Sequence, residues 1–234
     1  MTMEPRRADG AEGAGEDAFA RQLRGFGPVG VIAALVVMLM PSPAFLPLRG
    51  IAVLVWARLS GTPLRALGFA RPKHWALTIL GGIAFGVAFK LCMKSIVMPL
   101  LGAPAENPEY RYLIGNAAAL PSLVAVMVLN AGFGEEAAFR GFLFERLGVL
   151  FGPRPWAKVA IVLLTTALFA LGHYVNLGLP GVEQAVFTGL AFGTIYAFSG
   201  RLWLIMAAHA AFDVTAIAII YWGLEARVAH LFFR

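Results

Sequence analysis

Charge is the first thing this chain lacks. Of its 234 residues only 14% are Asp, Glu, Lys or Arg, while 59% are hydrophobic. Soluble domains carry nearer a quarter charged residues. The apolar residues come in long runs separated by short polar loops, which excludes an ordinary soluble domain and points to a multi-pass helical membrane protein. Cysteine is almost absent. With Cys92 alone, no internal disulfide and no thiolate metal cluster can form, and within its apolar run Cys92 reads as a small packing residue. There is no basic and aromatic stripe, so the excess of 19 Lys and Arg over 13 Asp and Glu reads as orienting loop charge and not as a nucleic-acid surface. A His-Glu-x-x-His helix, whose two histidines would bind zinc from one face, is missing. No internal repeat of roughly 20–50 residues is present. The N-terminus also lacks the short basic region and apolar core of a signal peptide. Residues 1–25 mix four arginines with five acids among Gly and Ala and read as a disordered tail.

What is there is a series of apolar segments. Gly27 to Met40 and Ala44 to Leu59 are each short for a span, which takes about 20 residues. They read as a hairpin of two short or tilted helices, or as one span plus an interfacial helix. Residues 60–74 carry Arg65, Arg71, Lys73 and His74 and no acid, a loop that the positive-inside rule places in the cytoplasm. Trp75 to about Leu101 follows, with Lys90 and Lys94 on one face, either turned to a polar cavity or snorkelling. After the loop 103–116, Leu120 to Phe133 leads into two glutamates, and Phe139 to Phe151 continues amphipathically. Ala157 to Tyr174 is the next helix, Val175 to Gly181 a loop, and Val182 to Phe198 and Leu202 to Gly223 the last two helices. The expectation is an all-α transmembrane bundle of about seven or eight helices around a buried polar cavity. It forms one domain, with the tail 1–25, N-terminal helices over 26–116 and the functional helices over 117–234.

Ionised groups at the bilayer centre cost roughly 2.5–3.5 kcal/mol each on insertion scales. Those in the apolar runs after residue 117 are Glu135, Glu136, Arg140, His173, Glu183, His209 and Asp213. Glu136 and Arg140 are four apart and can pair along one face, which leaves Glu135 without that partner, about 100° around the helix. His209 and Asp213 are also four apart, so Asp213 is placed to orient the imidazole. Phe169 precedes His173 by four and shields its ring. Glu183 and Gln184 read as the start of a helix, Glu145 and Arg146 as interfacial, and Tyr174 and Asn176 as flanking an entrance. If the three polar faces converge, a carboxylate can take a proton from water while histidines stabilise the oxyanion or protonate the leaving amine. Depth poses a difficulty. With the glutamates at the end of their helix, a helix from Ala157 carries His173 about 24 Å away from them.

"EEAAFRG", "FALGH" and "HAAFD", in this order over about residues 117–223, resemble the signatures of the CAAX protease and bacteriocin-processing (CPBP) family of intramembrane endopeptidases. The resemblance implies an integral protease of the cell membrane that hydrolyses a membrane-associated protein or peptide. It implies Glu135 as general base with Glu136 and Arg140 in support, His173 and His209 completing the site, and Asp213 at the oxyanion or orienting His209. Family members often have asparagine at the place of Asp213, and an amide donates to an oxyanion where a carboxylate does not. Members have been described both as metalloproteases and as metal-free glutamate proteases. The metal-free reading is favoured, with no cofactor; zinc held by His173, His209 and a glutamate is the alternative. Two other classes are a non-enzymatic membrane immunity or partner-binding protein, and a proton or ion transporter, which no broken-helix pair or inverted repeat supports.

Overall fold

The computed structural model describes residues 18–41 and 46–233, and these are helical with no strand among them. Residues 1–17 of the expected tail and most of the Pro41-Ser42-Pro43 break lie outside the described residues. Residues 18–24 are a correction, because they form helix α1 (Ala18–Arg24), bent by 59° from α2 (Pro28–Leu39). Its last turn is docked: Trp56 Nε1 donates to Leu23 O at 3.3 Å, and Arg146 donates to Arg24 O. Helix α3 (Leu48–Ser60) packs against α2, the two-short-helix form of the expected hairpin.

Among the described residues four helices are long and apolar enough to cross a membrane: α4 (Trp75–Leu100), α5 (Ala117–Phe151), α6 (Ala157–Ser199) and α7 (Leu202–Tyr221); α1 with α2 would make a fifth, bent span. A short α8 (Glu225–Ala229) follows. The all-helical multi-pass bundle is thus the observed architecture.

Helix α5 departs from the α-helical register over Met127–Glu135 and Ala137–Leu143, which are π-helical. Such segments are rare and often mark functional sites. Both glutamates therefore sit inside one long helix, not at its start, so they do not serve as first-turn acids on a helix dipole.

The loop expected over 175–181 is corrected to a single residue. Within α6 only Gly178 leaves helical geometry, at φ 60° and ψ −156°, a conformation glycine adopts without a Cβ penalty. Pro180 lacks the N–H that would carry the helix across. The two arms, 157–177 and 179–199, then run back along each other. A Cβ on Gly189 would lie 2.8 Å from Thr166 Cγ2, and one on Gly193 3.4 Å from Val162 Cγ1. In a straight helix Thr166 and Gly189 would be about 35 Å apart.

This arrangement resolves the depth difficulty. Glu135 lies 16 residues before the end of α5 (135 to 151), and His173 lies 16 after the start of α6 (157 to 173). The chain descends and climbs by the same amount, about 24 Å at 1.5 Å per residue. Across the next turn Phe192 is 7 residues before Ser199 and His209 is 7 after Leu202. Their rings meet with centroids 5.3 Å apart.

Helix α4 closes the bundle against α7 through Gly82 and Gly86, a small-xxx-small spacing that lets membrane helices approach closely. A Cβ on Gly82 would stand 2.5 Å from Leu204 O, and one on Gly86 would overlap the Ala208 carbonyl. Neighbouring Gly81 faces open space. Gly86→Val should push α4 off α7 and destabilise the protein by more than the usual 1–3 kcal/mol of an overpacked core, because backbone has to move. Gly81→Val should be nearly neutral. Thermal unfolding of both variants in detergent checks this, and equal melting temperatures would rule out the close contact.

Candidate active site

Glu136, Arg140 and His209 are fixed by one atom. Glu136 Oε1 accepts from Arg140 Nη1 at 2.9 Å and from His209 Nδ1 at 2.7 Å. Glu136 is 0% exposed and Arg140 1%, so two charges that lipid would not tolerate alone neutralise each other. The guanidinium also reaches both arms of α6. It donates to Gly189 O at 3.4 Å and lies 4.7 Å from the Phe169 ring centroid and 5.8 Å from that of Phe192. Cationic faces on aromatic rings add to the hold of a desolvated arginine.

Because an ionised carboxylate only accepts, His209 Nδ1 carries the proton shared with Glu136. Its other nitrogen, Nε2, lies 3.5 Å from Asp213 Oδ2 and 4.0 Å from Glu135 Oε2. The expectation that Asp213 orients this imidazole is met only in part. Glu136 makes the short bond to Nδ1, and Asp213 stands on the Nε2 side, beyond ordinary hydrogen-bond length. The spacing of four could not reveal a partner 73 residues away.

Glu135 differs from Glu136 in environment. Its side chain is 24% exposed, it lines a cavity of about 1340 Å³, and its Oε2 is buried without a hydrogen-bond partner. His173, His209 and Asp213 line the same cavity, while Glu136 and Arg140 sit behind its wall. His173 Nδ1 donates to Phe169 O at 2.8 Å, leaving Nε2 as its free ring nitrogen. The Phe169 ring lies 4.5 Å from that of His173 and 6.0 Å from that of His209. All six sequence-derived candidates thus belong to one constellation, four on the cavity surface and two supporting it.

Several lining residues come from the N-terminal half. Arg49 lines the cavity, donates to Met40 O at 3.4 Å and lies 5.9 Å from the Phe139 ring. Lys90 and Lys94 line it too, so they face the polar cavity and do not snorkel. Gln184 is not a cap; it accepts from Lys90. Arg146 is buried and paired with Glu145, with its guanidinium 5.0 Å from the Trp56 ring. Tyr174 and Asn176 do line the cavity. Glu225, which holds Lys94 at 2.9 Å, and Phe192 were not singled out from sequence. Both act through contacts remote in the chain.

No three His, Cys, Asp or Glu side chains among the described residues group as metal ligands would. Nδ1 of each histidine is bonded to protein, an arrangement that metal-ligating histidines share.

Residues 117–215 match the family model described as type II CAAX prenyl endopeptidase Rce1-like. No curated protein and no solved structure matches the chain. The match spans every one of the six constellation residues and neither Lys90 nor Arg49.

Glu136→Ala should destabilise the protein by about 3–5 kcal/mol, because it leaves a buried arginine uncompensated. Glu136→Gln, which keeps an acceptor for Arg140 and His209, should lose less. Melting temperatures in detergent check the order, and an alanine variant as stable as the wild type would contradict it.

Proposed function

We propose that this chain, whose residues 117–215 carry a type II CAAX endopeptidase domain of the CPBP family, is a glutamate-dependent intramembrane endopeptidase of the cell membrane. Its substrate is a membrane-associated protein or peptide. The observation that carries the mechanism is Glu135 Oε2, a buried carboxylate oxygen at a cavity wall with no protein hydrogen bond, 4.0 Å from His209 Nε2.

Such an oxygen is suited to take a proton from a water molecule entering beside it. The hydroxide adds to the scissile carbonyl, and negative charge develops on the carbonyl oxygen. His209, in its protonated form, donates to that oxyanion from Nε2, and His173, whose Nδ1–H is spent on Phe169 O, lines the same cavity and donates from Nε2 only when it too is protonated. Glu135 then returns its proton to the leaving amine. Glu136 does not touch the substrate; it holds the His209 ring, and Arg140 balances the charge of Glu136. Asp213, a carboxylate where an amide would donate, works through His209 Nε2 and not as an oxyanion donor. The reaction as written needs no metal.

Glu135→Gln should lower cleavage by roughly 10²–10⁴-fold, the usual range for a lost general base. Its melting temperature should stay within a few degrees of wild type. Peptidase assays on protein purified in detergent measure this, and full activity in the variant would rule out the role. Activity should also survive prolonged chelation. Loss on chelation, restored by zinc, would replace the metal-free mechanism with a metal-dependent one. A protein that cleaves nothing but loses its cellular phenotype only when destabilised would instead be the non-enzymatic partner-binding protein.

A further inference from the structure

Arg49 stands apart from the other arginines of the interior. It lies in the first turn of α3 and lines the same cavity as Glu135. Arg140 and Arg146 each face a carboxylate, whereas Arg49 has none within ion-pair distance among the described residues. A guanidinium has five N–H donors and no acceptor. One donor of Arg49 is used, on Met40 O at 3.4 Å, a long bond back to the end of α2. Its Nε–H is buried without an acceptor among the described residues. Buried donors are nearly always paired, so an orphan at a cavity wall points to an acceptor that arrives with the substrate.

The packing of α3 decides where this group sits. A Cβ on Gly50 would lie 2.5 Å from the Phe133 ring, so the absence of a side chain lets α3 close onto α5. A Cβ on Gly134 would come within 3.8 Å of Gly50 N and 3.9 Å of Pro47 Cβ. The start of α3 thus straddles the two residues before Glu135. The guanidinium carbon lies 5.9 Å from the ring centroid of Phe139, one turn after Glu135. Phe139 is itself held edge-on against Phe169, with centroids 5.2 Å apart. Arg49 is therefore within about one turn of Glu135 along α5, roughly 6 Å.

The remaining polar groups of the cavity do not supply free donors there. Glu135 and Asp213 only accept while ionised, and His173 and His209 donate from Nε2 only when protonated. Lys94 is saturated by Glu225 and Ala105 O. Lys90 donates to Gln184 at 2.7 Å and lies against the Phe212 ring, further along α7. Arg49 is left beside Glu135 with donors to spare. When hydroxide adds to the scissile carbon, a C–O bond forms and the carbonyl π pair moves to oxygen, while the proton of the water rests on Glu135. The new oxyanion is stabilised by donors already in place. On collapse the pair returns, the C–N bond breaks and the leaving amine takes the Glu135 proton.

We propose that Arg49 is a further catalytic residue, which donates to the carbonyl oxygen of the scissile bond and holds it most strongly as the tetrahedral oxyanion. Part of the reacting centre then comes from α3, outside the matched residues 117–215. The role rests on the endopeptidase reading, and a binding measurement separates the two.

Cleavage is followed on protein in nanodiscs with a random-sequence peptide mixture carrying a fluorophore and a quencher. Arg49→Met should lower kcat roughly 10²–10³-fold, the usual cost of one oxyanion donor, with KM little changed, and Arg49→Lys should recover part of the loss. Binding uses two uncleavable forms of the mixture, with chelator present. One carries a phosphinate, a stable tetrahedral anion, in place of a central peptide bond, and the other a neutral ketomethylene. Wild type should bind the phosphinates roughly ten- to a hundredfold more tightly, the usual worth of a hydrogen bond to a charged group, and Arg49→Met should lose most of that preference. Undiminished kcat in Arg49→Met would overturn the proposal, as would an unchanged preference for the phosphinates. A shift of the acidic limb of the pH–rate profile with the same plateau would also overturn it, by making Arg49 a counter-ion of Glu135. If the phosphinate preference depends on Arg49 yet wild type cleaves no peptide, the endopeptidase reading fails and the anion site stands. Melting temperatures, and equal affinity of the variants for the ketomethylene mixture, guard against loss of fold.

Discussion

One oxygen atom, Glu136 Oε1, holds the site together. It accepts from α5's own Arg140 and from His209 on α7, and Arg140 in turn grips both arms of α6 through Gly189 O and the rings of Phe169 and Phe192. Three helices thus meet on a single buried ion pair. A cluster of this kind is costly to bury, and its net contribution to stability is modest when complete. Its specificity is the larger effect, since a bundle in any other register strands an arginine, a glutamate or both in an apolar interior. The supporting pair is therefore inseparable from the reacting pair. Glu135 faces the cavity while Glu136, bonded through Oε1 with its Oε2 buried and unbonded, lies behind the wall, and His209 Nε2 stands on the side of Glu135 and Asp213 because Nδ1 is held from behind.

Equal lengths around two turns do the coarse positioning. The 16 residues from Glu135 to the end of α5 match the 16 from the start of α6 to His173, and 7 match 7 between Phe192 and His209. The folding-back of α6 at Gly178 adds the third coincidence, bringing Phe169 and Gly189 to one guanidinium. Side chains then refine what the turns set roughly. The π-helical stretches of α5 lie where the two glutamates and Arg140 are presented. A wider turn changes which way neighbouring residues point, and here it coincides with one glutamate on the cavity and the next behind its wall.

Local spacing made part of this legible. The four-residue steps Glu136 to Arg140 and His209 to Asp213, together with the apolar runs, were enough to bring forward all six residues of the constellation and the helical class. What stayed hidden depended on contacts between distant segments. Asp213 looked like the partner of His209 because it was near in sequence, whereas the short bond comes from Glu136. Gln184 looked like a cap after Gly178-Leu179-Pro180-Gly181, whereas the helix restarts directly after Gly178 and the amide meets Lys90, 94 residues away. The depth conflict arose from treating the glutamates as a helix end. Their helix continues to Phe151, and the arithmetic changes sign. Gly82 and Gly86 did carry a readable signal, the four-residue spacing of small residues in an apolar helix.

The cavity is a joint product of both halves of the chain. The carboxylates and imidazoles of the constellation come from residues 135–213, inside the family match, whereas Arg49, Lys90 and Lys94 come from helices before it. The division follows from what each half has to do. Glu135, His209 and their supports stand within a few ångströms of one another on helices joined by one ion pair. Helix α4 supplies another part of the cavity wall, held by a backbone contact that glycine alone allows at Gly86. A helix held by shape and not by charge can change its cavity-facing side chains without disturbing the Glu136 cluster. The cavity-facing cations of α4 can therefore change while Glu136, behind the cavity wall, stays where Arg140 and His209 hold it.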